Sequence, residues 1–217
     1  MMITVAIIED HQILVDALGL MLSRDQEFQF VGSATTLAGG LDLIQRTLPN
    51  LLLLDIHLPD GSGFEIVPKI IETSPQTHVV VLTSYTDEET IMRAIDLGVS
   101  AFLPKNTPLN EFYATLRKAA EGEVVMPPKL LIGLLKRVPR QQVITNRQDS
   151  IWKKLTPREY EILTYLVAGK SGDAIAEALD IAPLTVRTHV RNLMSKLGVH
   201  SRLEAVAFGV RHGLTAQ

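Results

Sequence analysis

The stretch Leu51-Leu52-Leu53-Leu54-Asp55-Ile56-His57-Leu58-Pro59-Asp60-Gly61-Ser62-Gly63 sets an aliphatic run directly against a carboxylate and a turn-forming tail. A short apolar run without polar alternation predicts a strand buried on both faces. The Pro-Asp-Gly-Ser-Gly tail predicts a loop, which leaves Asp55 at the carboxyl end of that strand. Four more β-rich runs surround it, at residues 4–8, 28–34, 79–83 and 101–103. Between them the apolar residues recur three and four apart, as in Ile13, Leu14, Ala17, Leu18, Met21 and Leu22. That spacing predicts amphipathic helices.

Buried strands alternating with helices predict a parallel sheet covered on both sides. Five such units within residues 1–121 suit an α/β doubly wound, five-stranded, flavodoxin-like domain. Its functional groups are then expected at the carboxyl ends of the strands. Glu9 and Asp10 follow the first run, Asp55 the third, Thr83 ends the fourth, and Lys105 lies just past the fifth. Any one of these alone reads as a turn, a cap or a solvated surface group. Together they place three carboxylates, a hydroxyl and an ammonium on one sheet edge. Crowded carboxylates need a compensating cation, and an all-oxygen set suits a hard divalent ion, Mg2+ or Mn2+. A carboxylate nucleophile with such an ion, a hydroxyl and a lysine can support phosphoryl transfer to aspartate.

Residues 122–150 change character, with Gly122, Pro127, Pro128 and Pro139 as punctuation and a polar end. They read as an interdomain linker with one short helix near residues 130–135. Residues 151–217 hold no strand pattern. Thr156-Pro157-Arg158-Glu159 is a capping box that predicts a helix to about Ala168. Further helices are expected from about Ser171 to Leu179 and from Pro183 to Leu197. The last opens at a second box, Ser201-Arg202-Leu203-Glu204. Four short helices with tight turns suggest a helix-turn-helix unit.

The whole chain carries 21 basic and 24 acidic residues, a formal net charge of -3 that excludes a strongly basic nucleic-acid coat. Resolved by segment, the charge is -9 over residues 1–121, +3 over 122–150 and +3 over 151–217, so the two ends are expected to meet different partners. A hydrophobic content of 46% with 21% charged residues predicts a globular chain. The absence of cysteine excludes a disulfide scaffold, a thiolate nucleophile and thiolate metal sites. No basic n-region or long apolar run is present, so a cytoplasmic location without a membrane span is expected.

The set Glu9-Asp10, Asp55, Thr83 and Lys105, with proline four and glycine eight residues beyond Asp55, resembles the receiver domain of bacterial two-component response regulators. The likeness spans nearly all of residues 3–121. It implies that Asp55 is the phosphoacceptor and that Glu9, Asp10, Asp55 and the backbone carbonyl of His57 hold the metal. It also implies that Lys105 contacts the phosphoryl group and that Thr83 is the switch hydroxyl. Phe102 falls where the family places a switch aromatic, although the residues alone read equally as an ordinary core ring. Pro104 precedes Lys105 where many receivers have proline after the lysine, and Pro68 is expected to kink or confine the helix that holds it.

The Leu155-to-Glu159 segment, Thr185-Val186-Arg187-Thr188-His189-Val190 and Lys196-Leu197-Gly198-Val199 resemble a LuxR-type helix-turn-helix, over about residues 152–212. The full chain is therefore similar to the NarL/FixJ class. The resemblance implies double-stranded DNA contacts through Thr185, Arg187, Thr188 and Arg191, with Lys196 and Arg202 on phosphates and His189 in a structural role. It implies a sensor histidine kinase as phosphodonor and a homodimer once phosphorylated. Change is expected at the face of the fourth helix, fifth strand and fifth helix, or at the interdomain contact. Where the family commonly has Asn-Lys-Glu after the serine, this chain has Gly172-Asp173-Ala174.

No enzyme is expected beyond assistance to the receiver's own phosphorylation and dephosphorylation. A phosphohydrolase with an aspartyl-phosphate intermediate needs an aspartate two residues past the nucleophile, and that position is His57. The remaining alternative is a DNA-binding regulator whose receiver is a phosphorylation-independent interaction domain.

Overall fold

The computed structural model describes residues 2–84, 87–123, 125 and 152–214, and divides the chain into two compact units, residues 1–125 and 126–217. The expected linker helix near residues 130–135 lies outside the described residues.

In the first unit, β1 (Ile3–Ile8), β2 (Phe28–Ala34), β3 (Leu51–Asp55), β6 (His78–Thr83) and β7 (Ala101–Pro104) form one sheet in the order β2-β1-β3-β6-β7. Every pairing in it is parallel. The connecting helices are α1 (Gln12–Arg24), α2 (Leu37–Thr47), α3 (Val67–Thr73), α4 (Glu88–Asp96) and α5 (Leu109–Ala120). All five residues of β3 are buried, as an uninterrupted leucine run requires. On one face Val5, Ile7, Leu51, Leu53, Val80 and Leu82 pack against Val15, Leu18 and Leu22 of α1 and Phe112, Leu116 and Ala119 of α5. Register carries the site. Ile8 pairs with Leu54, Asp55 with Leu82 and Thr83 with Pro104, so Glu9, Asp55, Thr83 and Lys105 share one edge.

Of the two outcomes expected for Pro68, the structure has the second: it confines the helix to a start at Val67 and sits in the first turn of α3, where its missing N–H costs nothing. The loop after Asp55 has order of its own. It contains a two-residue antiparallel hairpin, β4 (His57–Leu58) with β5 (Gly61–Ser62), followed by a 3-10 turn at Gly63–Glu65. Asp60, at the hairpin's tip, accepts the N–H of Leu37 at 2.9 Å and ties the hairpin to the start of α2.

The second unit holds α6 (Pro157–Val167), α7 (Gly172–Ala178), α8 (Pro183–Leu197) and α9 (Arg202–Arg211). Helices this short are marginal in water, so tertiary burial stabilises them. Ile162, Leu163, Ile175, Val186, Leu193 and Leu203 are fully buried, each worth about 1.5–3 kcal/mol relative to exposure. Thr156 and Glu159 close the expected capping box reciprocally. At the second box Ser201 accepts from the Glu204 N–H, and the Glu204 carboxylate accepts from the N–H of His200.

The turn between α7 and α8 places exposed Asp180 at φ 51°, a left-handed conformation that costs an L-residue energy. Asp180→Gly removes that cost without uncovering apolar surface, and is expected to raise this unit's stability by roughly 0.5 kcal/mol. Trp152, the only tryptophan in the chain, packs edge-on to Tyr160 and Phe208, so denaturation followed by its fluorescence measures the change.

Candidate functional site

The carboxyl edge of the sheet gathers the expected residues. Glu9 and Asp55 are buried, and Lys105 reaches between them with Nζ 2.8 Å from Glu9 Oε2 and 2.8 Å from Asp55 Oδ2. Partial burial works to lower the Lys105 pKa. The two carboxylates outweigh that and hold it above the ordinary lysine value, so the ammonium stays charged. Thr83 is buried at the end of β6, and its carbonyl accepts the Lys105 N–H at 3.0 Å, which fixes the start of the lysine loop. Asp10 is partly exposed at the mouth. The N–H of His57 donates to Asp55 Oδ1 at 3.3 Å, while its side chain is exposed. Phe102 is buried on β7.

One member of the cluster was not expected. His11 follows the acidic pair and starts α1, yet its ring makes no cap hydrogen bond. Its Nδ1 lies 2.7 Å from Glu9 Oε1 and 2.8 Å from Asp10 Oδ1. The hydrogen bond to Glu9, and then the Asp10 charge, raise the His11 pKa above the usual value. The ligand atoms of Glu9, Asp10, His11 and Asp55 all lie within 4.8 Å of one another. The sequence signal was only adjacency to the acidic pair, since a ring orientation cannot be read from spacing.

Charge and polarity favour a cation here. Lys105 sets one positive charge against the buried carboxylates of Glu9 and Asp55, with Asp10 adding a third beside them. Glu9 Oε2 is buried and meets Lys105 Nζ at 2.8 Å. Three carboxylates around one ammonium leave negative charge at this edge that a divalent cation would compensate. The residues therefore fit a divalent metal.

In the second unit, α8 divides as its spacing requires. Val186, Val190 and Leu193 are buried, whereas Thr185, Arg187, Thr188 and Arg191 are exposed. His189 is half-buried. Leu184, 71% exposed at the start of the same helix, is an apolar group that the charge pattern did not single out. It could pack on a thymine methyl in a major groove. Two of the expected phosphate contacts stand apart from the others. Lys196 Nζ is 2.7 Å from Glu159 Oε2, and Arg202 is buried. Burial works to raise the Glu159 pKa, but hydrogen bonds from Lys196 and the Thr156 N–H hold it below the ordinary carboxylate value. This pair joins the start of α6 to the end of α8 and so holds the exposed helix in place.

Residues 5–117 match the family model for the response regulator receiver domain, and residues 153–208 match that for bacterial regulatory proteins of the luxR family. The chain is 32% identical over 213 residues to the uncharacterized transcriptional regulatory protein YhcZ of Bacillus subtilis, with 98% of each covered. It is 32% identical over 214 residues to the response regulator protein VraR of Staphylococcus epidermidis, with 99% of each covered. Among solved structures, the response regulator ChrA of a heme-sensing two-component system aligns over 96% of both chains at 27% identity and a TM-score of 0.51. RcsB, in a structure of two dimers bound to two parallel DNAs, aligns over 97% of this chain and 99% of its own. That likeness, at 19% identity and a TM-score of 0.57, speaks to fold alone.

Proposed function

Because this chain belongs to the LuxR-type response regulators, transcriptional regulators that join a receiver to a DNA-binding domain, we propose that Asp55 is its phosphoacceptor and that phosphorylation governs its DNA binding. The observation that carries this reading is the buried Asp55 carboxylate with Lys105 2.8 Å away on a shared sheet edge. The donor is a sensor histidine kinase. An Asp55 oxygen attacks the phosphohistidine phosphorus, an O–P bond forms, the N–P bond breaks, and the imidazole keeps the electron pair and takes up a proton.

Glu9, Asp10, Asp55 and the His57 carbonyl would hold Mg2+, or Mn2+ in its place. When bound, that ion supplies charge neutralisation at the phosphoryl oxygens. Lys105 moves its charge from carboxylate to phosphoryl, and the Thr83 hydroxyl becomes a donor to the same group. Movement of Thr83, with Phe102 following it in β7, biases the face of α4, β7 and α5 or the contact between the two units. The outcome is a homodimer that presents two copies of α8 to double-stranded DNA.

Thr185, Arg187, Thr188 and Arg191 are the proposed base and phosphate contacts, and their common exposure supports them. Lys196 and Arg202 act first within the fold, and any phosphate contact they make is secondary. Among the described residues no helix is long and apolar enough to cross a membrane. Residues 1–121 as receiver, 122–150 as linker and 151–217 as DNA-binding domain remain the proposed division. Adding a small phosphodonor with Mg2+ and following intact mass and oligomeric state tests the reading. One added phosphoryl group per chain with dimer formation is expected, and an unmodified mass overturns it.

Asp173 lies exposed in the first turn of α7, where the family commonly has lysine. A carboxylate facing phosphates weakens binding without regard to sequence. Asp173→Lys is therefore expected to raise affinity for specific and unrelated DNA alike, and to steepen the log–log salt slope by about one. Fluorescence anisotropy across a salt series measures both, and an unmoved slope contradicts the placement.

A further inference from the structure

The part of the cation cluster that the proposed magnesium chemistry does not use is the His11 imidazole. We infer that His11 makes this site a binding site for late first-row divalent ions such as Ni2+, with Nδ1 joining the carboxylates as a nitrogen ligand. The inference rests on the cation reading of the acidic edge given above.

The geometry already has a ligand arrangement. Nδ1 stands 2.7 Å from Glu9 Oε1 and 2.8 Å from Asp10 Oδ1. Adjacent ligands on an octahedral ion at about 2.1 Å stand about 3 Å apart, so a small opening of this triangle suffices. Asp55 closes the group, whose ligand atoms lie within 4.8 Å of one another. Glu9 Oε2 is buried and meets the Lys105 ammonium at 2.8 Å, so three carboxylates at this edge share one lysine.

Ligand chemistry then separates the ions. Magnesium takes oxygen ligands and gains little from an imidazole, whereas nickel, copper and zinc bind it well and lie higher in the affinity order. His11 therefore sets selectivity between ions. Its side chain is 70% exposed and caps nothing, so its replacement is not expected to disturb the fold. Nitrogen binding exchanges the Nδ1 proton for the ion. An ion held this way would occupy the Asp55 oxygens, compete with Mg2+ and oppose phosphorylation.

Calorimetric titration of the full-length, metal-stripped chain with Ni2+ and with Mg2+, at one fixed pH, tests this. His11→Gln is expected to weaken Ni2+ binding at least tenfold and to change Mg2+ binding less than threefold. Asp10→Asn is expected to weaken both, which locates the nickel at this edge. With Cu2+ as a paramagnetic probe of the late series, electron spin echo should show nitrogen coupling that His11→Gln removes. An unchanged Ni2+-to-Mg2+ affinity ratio in His11→Gln, or nickel binding indifferent to Asp10→Asn, overturns this inference while leaving the magnesium reading in place. A wild-type chain that binds no Mg2+ overturns both.

Discussion

Asp55→Ala is expected to abolish acyl-phosphate formation, taking labelling by a small phosphodonor below detection. The substitution removes the oxygen that attacks phosphorus, and no other described carboxylate occupies its position. Glu9 is also buried beside Lys105, but it terminates the neighbouring strand β1. Asp10 stands partly exposed at the mouth. Asp55→Asn serves as the companion variant, because it keeps the shape of the side chain and one acceptor oxygen for the His57 N–H. Both variants should fold, since each removes one of two carboxylates crowded around a single lysine. Phosphorylation measured by intact mass and by acid-stable, base-labile label loss separates chemistry from folding. Label persisting at a site in residues 1–121 of Asp55→Ala would refute the assignment.

The second large effect concerns Gly63. A Cβ added there would overlap the backbone carbonyl oxygen of Asp55 and lie 3.1 Å from its carbonyl carbon and 3.2 Å from Ile56 Cα. These are backbone atoms, which cannot rotate away as a side chain can. The cause is close approach, because Gly63 is not among the residues with positive φ. Its N–H also donates to the Ile56 carbonyl at 2.8 Å, which locks the 3-10 turn against the end of β3. Gly63→Ala must either break that lock or push Asp55 out of register with Lys105. A destabilisation of about 3 kcal/mol is expected, with slower phosphorylation in whatever fraction remains folded. Chemical denaturation followed by far-ultraviolet circular dichroism gives the first quantity. A loss under about 1 kcal/mol would mean that the turn can move freely, against the geometry described.

The motif glycine eight residues past Asp55 thus has a steric reason that spacing alone could not supply. The strands were legible because four leucines in a row leave little alternative to a doubly buried strand. The shared edge followed, since parallel strands bring their carboxyl ends together. The capping box at Thr156 was legible for a local reason, as both partners lie within one turn. At Ser201 the Glu204 carboxylate takes the N–H of His200, one residue before the cap, a partner that the spacing of a capping box does not include.

Contacts between residues distant in sequence were not legible. Lys196 reads as one more basic residue until the fold brings buried Glu159, 37 residues away, to its ammonium. Arg202 reads as a surface arginine until burial is known. The His11 contact is local, but spacing does not show that its ring turns onto Glu9 and Asp10. Asp60 likewise reads as a turn former, while in the fold it caps α2 from 23 residues away.

The proposed control of DNA binding in residues 151–217 by phosphorylation in residues 1–121 is tested most directly by measuring DNA affinity on one preparation before and after treatment with phosphodonor and Mg2+, with intact mass read on the same sample. The chain carrying one phosphoryl group is expected to bind its operator more tightly and as a dimer, and Asp55→Ala is expected to show no change. Equal affinity for phosphorylated and unmodified chains, with mass proving the modification, would contradict it and leave a DNA-binding regulator whose receiver acts without phosphorylation.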